Sequence, residues 1–129
     1  DIQDIQVLQN KAAQIVTRSP PRAHRDAIYD SLGWLTVNQL VVYHSALTVY
    51  RISQSNEPEY LAQQLQFDNR NGRVIVPNTK LGLAQKSFCF RGADTWNSSP
   101  VNIRNFRKIG QFKTGVRKWV DRNVPRFLE

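Results

Sequence analysis

The chain contains no methionine and a single cysteine, Cys89, so an internal disulfide is excluded. A lone cysteine suits a reducing compartment, and its expected role is a small buried hydrophobe. No apolar run approaches the roughly 20 residues of a membrane span, and no signal peptide is visible. The expectation is therefore an intracellular protein, nuclear or cytoplasmic, with no membrane partner. There is no glycine-rich phosphate loop, no cysteine/histidine metal spacing, no nucleophile elbow and no aspartate cluster for paired magnesium ions. Ser98 and Ser99 have no base near them in sequence. Asp26 and Asp30 lie one turn apart without a third ligand, so they read as a solvated face. His24 and His44 sit in separate segments and form no ligand spacing. Catalysis, metal binding and cofactor binding are not expected of this chain.

What is present is positive charge, unevenly placed. The 129 residues carry a net charge of +8. Residues 1–69 hold five cations against seven carboxylates, whereas 70–100 hold five against one and 101–129 eight against two. A cationic half joined to a near-neutral half points to an anionic partner, most often nucleic acid. The absent initiator methionine suggests a piece of a longer protein, and Leu128-Glu129 reads as a vector-derived tail.

Ile5, Leu8, Ala12, Ile15 and Val16 fall on one face at helical spacing, which predicts an amphipathic helix over 3–17 packed on the core. Ser19-Pro20-Pro21 ends it. A shorter helix follows over 22–32, with Ile28 and Leu32 inward and Gly33 as its cap. Thr36 is the expected N-cap of a long helix over 37–52 that is apolar almost all round and so buried on several sides. His44 lies on the arc of Val37, Leu40 and Val41 and is expected in the core. Pro58 and flanking acids open a short helix through about Leu65.

Turn chemistry at 69–72 precedes a β-branched stretch, 73–77. Phe88 and Phe90 alternate with Cys89 and Arg91, which predicts a second strand over 87–91, paired antiparallel with 73–77 across a loop carrying Lys80 and Lys86. Gly92 would turn the chain, Asp94 cap one helical turn bearing Trp96, and Pro100 stop it. The closing helix, about 109–123, turns Phe112, Val116, Trp119 and Val120 inward. At about 100° per residue Lys113 and Arg117 take one flank, Lys118 and Arg122 the other. The expected core includes Trp34, Leu40, Leu47, Phe88, Phe90, Trp96, Phe112 and Trp119.

Several phrases recur in a telling order: Leu8-Gln-Asn-Lys-Ala-Ala13, Leu32-Gly-Trp-Leu-Thr-Val37, Thr48-Val-Tyr50, Pro58-Glu-Tyr-Leu61, Val74-Ile-Val-Pro77 and Thr95-Trp-Asn-Ser-Ser-Pro100, then Ile103-Arg104 and Phe112-Lys113. Together they resemble the region just after the polymerase core of non-LTR (LINE-type) retrotransposon reverse transcriptases. The sequence departs from the usual pattern at Thr36, where proline is common, and at Ser99, where leucine usually stands. The resemblance implies a thumb-like helical bundle and a C-terminal extension, cradling RNA template and growing DNA, with the catalytic aspartates upstream in the parent enzyme.

The expected fold is mainly α: a helical bundle over 1–68, then a β-ribbon, a tryptophan corner and a basic closing helix over 69–127, forming one unit with it. The expected activity is non-catalytic binding of RNA or DNA through phosphates. Its residues are Arg104, Arg107, Lys108, Lys113, Arg117, Lys118 and Arg122, supported by Arg73, Lys80, Lys86 and Arg91. The rest of the parent reverse transcriptase is a second partner. The competing expectation is a domesticated protein-interaction or scaffold module without nucleic-acid affinity, displaying residues such as Tyr43, Tyr50 or Phe127.

Overall fold

A computed structural model describes residues 2–20, 22–55, 57, 59, 65, 67, 73, 74 and 88–127, with backbone alone at 88–90. Among these residues the chain is mainly helical: α1 Ile2–Thr17, α2 Arg25–Leu32, α3 Val37–Ser55, α4 Phe88–Ser98, α5 Val101–Arg104 and α6 Ile109–Asn123. The residues form two compact units, Asp1–Val41 with Asp121–Glu129, and Val42–Val120. The short helix expected from Pro58, most of the 73–77 strand, and the side chains of Phe88, Cys89 and Phe90 lie outside the described residues.

In the first unit the helix boundaries follow local chemistry. Ser19 N–H donates to Gln14 O at 3.1 Å and Arg18 N–H to Ile15 O at 3.2 Å, a Schellman close to α1 with Arg18 left-handed at φ 53°. Gly33 ends α2 at φ 67°, its N–H donating to Tyr29 O. A Cβ there would meet nothing within 4 Å, so the position is constrained by backbone conformation alone. Gly33→Ala is expected to cost about 1 kcal/mol through that conformation, measurable as a lowered urea midpoint. At the start of α3, Gln39 N–H donates to Thr36 Oγ1 at 3.4 Å and Thr36 N–H to Gln39 Oε1 at 3.1 Å. This reciprocal pair is a capping box, and it confirms Thr36 as the N-cap.

The face by which α1 packs is not the expected one. Ile5, Leu8, Ile15 and Val16 are exposed, and the buried residues of the helix are Gln6 and Ala13. Polar side chains organise the inward face. Gln6 Nε2 donates to Tyr29 Oη at 2.8 Å while its Oε1 accepts from Val37 N–H at 3.0 Å. Tyr29 Oη donates to Asn10 Oδ1 at 2.6 Å, and Gln9 Nε2 to Leu35 O at 2.9 Å. A satisfied amide network can be buried at little net cost, so it competes with the apolar face for the interior.

Tyr29 is 1% exposed. Burial raises its pKa above the ordinary value near 10, against smaller opposing effects of the Gln6 hydrogen bond and the Arg25 charge. The unfolded chain then loses this proton first, so the contribution is intact below pH 10 and falls as pH climbs towards the folded pKa. Tyr29→Phe is expected to lower stability at neutral pH by about 1 kcal/mol and to flatten the alkaline decline, read from denaturation midpoints between pH 8 and 11.

The C-terminal segment belongs to this unit. Gln39 Nε2 donates to Val124 O and Asn38 Nδ2 to Pro125 O. Phe127 meets Tyr29 edge-on at 5.5 Å, with the Arg25 guanidinium 3.9 Å from its ring centroid. Asp26 and Asp30, expected as a mere solvated face, hold Arg126, whose guanidinium pairs with Asp30 and lies 3.6 Å from Asp26 Oδ1 and 4.0 Å from Asp121 Oδ1.

The second unit has an aromatic centre. Tyr50 stacks on Phe112 at 4.1 Å, and Trp96 lies 5.9 Å from Phe112 and 6.5 Å from Tyr50. Tyr50 Oη donates to Phe106 O at 2.6 Å, so the one polar atom of this stack is satisfied. Ala46, Val49, Ile52, Val116 and Val120 are also fully buried. Trp34, Leu40 and Trp119, expected in the core, are half-buried. His44 is exposed rather than internal. It shares a stripe with Arg51 and Ser55, two and three turns along α3, which is the polar face that the helix does have.

The expected strand over 87–91 is overturned: Phe88–Ser98 is one helix, and Gly92 is inside it rather than at a turn. Gly92, Ala93, Trp96 and Ser99 are buried, a spacing of three to four that only a helix satisfies. The antiparallel ribbon with 73–77 is therefore absent at 88–91. Val74 instead makes an isolated bridge with Phe67, and the side-chain amide of Asn97 accepts from its N–H at 2.8 Å and donates to its carbonyl at 2.7 Å. Asn97 thus does for Val74 what a neighbouring strand would do.

Candidate nucleic-acid interface

Of the residues expected to bind, those described in the second unit sit on α4, on α5, in the connector before α6, on α6 and at Arg73. Arg91 is exposed on α4; Arg107 and Lys108 are exposed in the connector before α6; Arg117 and Lys118 are exposed on α6, and Lys113 is half-buried there. Phe112, Val116 and Val120 fix the rotation of α6 by packing inward. That rotation separates its cations. Lys113 and Arg117 lie on one side of the buried seam, and Lys118 lies on the opposite flank.

Lys118 shares an open groove of about 680 Å³ with Lys108, lined also by Phe106, Gly110, Gln111, Thr114 and Gly115. Gly115 lies at a close approach: a Cβ there would stand 3.0 Å from the Phe106 ring, which would have to shift slightly to admit it. The lining pairs these two lysines with small residues, Gly110, Thr114 and Gly115.

Arg104 closes α5 and is half-buried. Its Nε and Nη1 are buried without a hydrogen-bond partner among the described residues. Burial lowers its pKa, and the nearby positive charge of Arg73 lowers it further. An arginine remains charged in such a place. Two like charges have been brought together and part of one guanidinium left unsatisfied, an arrangement that an anion would relieve.

Of the residues expected to bind, the structure brings together Lys108 with Lys118, and Arg73 with Arg104. It does not unite the whole set: Arg122 belongs to the first unit, and Lys80 and Lys86 lie outside the described residues. Arg107, Lys108, Lys113, Lys118 and Arg122 form no ion pair among the described residues, in contrast to Arg126 with its three carboxylates. The special standing of Arg104 was not singled out by sequence, because charge counting weights every arginine alike. Among the described residues no group of three metal-ligating side chains is present, and no helix is long and apolar enough to cross a membrane. Comparison with protein-family models, with curated proteins and with solved structures gives no match to this chain.

Proposed function

We propose that this chain is a non-catalytic nucleic-acid-binding segment of a retroelement reverse transcriptase, contacting the phosphate backbones of template and product strands with little regard to base sequence. The resemblance in the order of its phrases supports the parent enzyme. The observation that carries the binding is the Arg104 guanidinium beside Arg73, with Nε and Nη1 lacking a partner among the described residues, backed by lysines along a groove that form no ion pair among those residues. The contacts expected are charge-assisted hydrogen bonds from guanidinium to phosphate oxygen and point-charge contacts from lysine. Arg104, Arg107, Lys108, Lys113, Arg117, Lys118 and Arg122 carry the binding, with Arg73, Lys80, Lys86 and Arg91 in support. Fluorescence anisotropy of labelled RNA–DNA hybrid, duplex DNA and single strands across a salt series tests it. Steep weakening with salt is the expected result; absence of binding at low salt refutes the reading.

A second reading, an interaction module without nucleic-acid affinity, is favoured by the exposed apolar residues of α1. The aromatic surface first expected for it does not serve. Tyr50 is buried, Tyr43 is half-buried, and Phe127 packs on Tyr29.

A further inference from the structure

We propose that the apolar stripe of α1 pairs, antiparallel, with the same stripe on a second copy of this chain. The proposal stands apart from nucleic-acid binding and uses none of those residues. Ile5 is 53% exposed, Leu8 65%, Ile15 76% and Val16 59%, although the helix that carries them is anchored on its other side by Gln6, Gln9, Asn10 and Tyr29. So many large apolar side chains on one exposed face, rather than scattered singly, mark a contact surface.

The residue pattern of the stripe selects a second copy as its occupant. Ile5, Leu8, Ala12 and Ile15 follow the alternating three- and four-residue spacing of a coiled-coil seam. Run against a second copy, Ile5 faces Ile15 and Leu8 faces Ala12, each pair occurring twice about a two-fold axis. The large leucine meets the small alanine, which lets the helices approach. In that register Asp4 of one copy stands beside Arg18 of the other, again twice, and Ile2 stands beside Val16. Asp4 and Arg18 are both exposed and neither has an ion-pair partner among the described residues. Lys11 meets its own copy near the axis, one exposed like-charge contact that salt screens. A parallel pairing would set Asp4 against Gln9 and Lys11 against Val16, with no opposite charges matched, so the charges select the antiparallel arrangement. Such a contact is isologous and closes at two copies rather than growing into a fibre.

One helix face per copy is small beside a standard interface, so association in the range of about 10 µM to 1 mM is expected. Sedimentation equilibrium across that range should show monomer and dimer. Leu8→Lys should weaken association by at least about a hundredfold, since the lost burial counts once for each copy. Leu8 is mostly exposed in the single chain, so the unfolding midpoint should not move. Asp4→Arg should weaken association, and Asp4→Arg combined with Arg18→Asp should restore it. A monomer throughout the range, or a dimer indifferent to Leu8→Lys, overturns the proposal. Failure of the combined charge swap to restore pairing overturns the antiparallel register.

Discussion

Reversing the charges of Lys113, Arg117, Lys118 and Arg122 together is expected to abolish tight binding of an RNA–DNA hybrid. An exposed ion pair contributes up to about 1 kcal/mol, so loss of four contacts is worth about 4 kcal/mol, near a thousandfold in affinity. Repulsion from the new carboxylates adds to this. The salt series gives a sharper reading than the affinity itself. Each phosphate contact contributes about 0.9 to the slope of log affinity against log salt, so removing four should flatten it by about 3 to 4. None of the four side chains is in the core: Lys113 is half-buried and the others are exposed. The unfolding midpoint should therefore hold within about 0.5 kcal/mol of stability per site. A variant that folds and binds with an unchanged slope removes these residues from the interface. Paired variants then divide the helix: reversal at Lys108 and Lys118 tests the groove, and reversal at Lys113 and Arg117 tests the opposite flank.

The sequence makes some elements legible and hides others for identifiable reasons. α6 is readable because its apolar residues fall at a helical period over four turns, and Gly33 and Thr36 because turn and cap chemistry is local. For α1 the same periodicity predicts the helix but chooses the wrong buried face. A hydrophobic arc shows which side prefers an apolar neighbour; it does not show that Gln6, Gln9 and Asn10 will find Tyr29 and the backbone at Leu35 and Val37. Those bonds join residues about 20 to 30 positions apart, beyond any local window. The misread strand before Gly92 has another cause. Four residues of alternation are too few to decide between periods, and the helical spacing emerges only when Gly92, Ala93, Trp96 and Ser99 are taken together. In α3 a polar stripe of His44, Arg51 and Ser55 was hidden among many apolar residues because each is widely spaced.

Replacing Arg104 by methionine is expected to stabilise the chain and weaken its binding at once. Most arginines could not be changed with that outcome. An exposed arginine contributes little to folding, and a buried arginine in a complete ion pair leaves a stranded carboxylate when removed. Arg104 differs from both: part of its guanidinium is buried, Nε and Nη1 have no partner among the described residues, and the nearby charge is that of Arg73, of the same sign. An unsatisfied buried donor costs about 1 to 3 kcal/mol, and methionine keeps the apolar stem while deleting the donors. Stability should rise by about 1 kcal/mol or more in urea unfolding. If the site exists to meet a phosphate, the same substitution should reduce affinity for the hybrid and lower the salt slope by about one. The lysine variant separates charge from geometry: Arg104→Lys keeps the charge, loses the fork, and should retain the salt slope while binding more weakly. A methionine variant that gains stability with undiminished binding would show Arg104 to be a frustrated structural residue, and would move the interface to the α6 groove. One that loses stability would show that the guanidinium is already satisfied within the fold, removing the physical reason for an anion at that place.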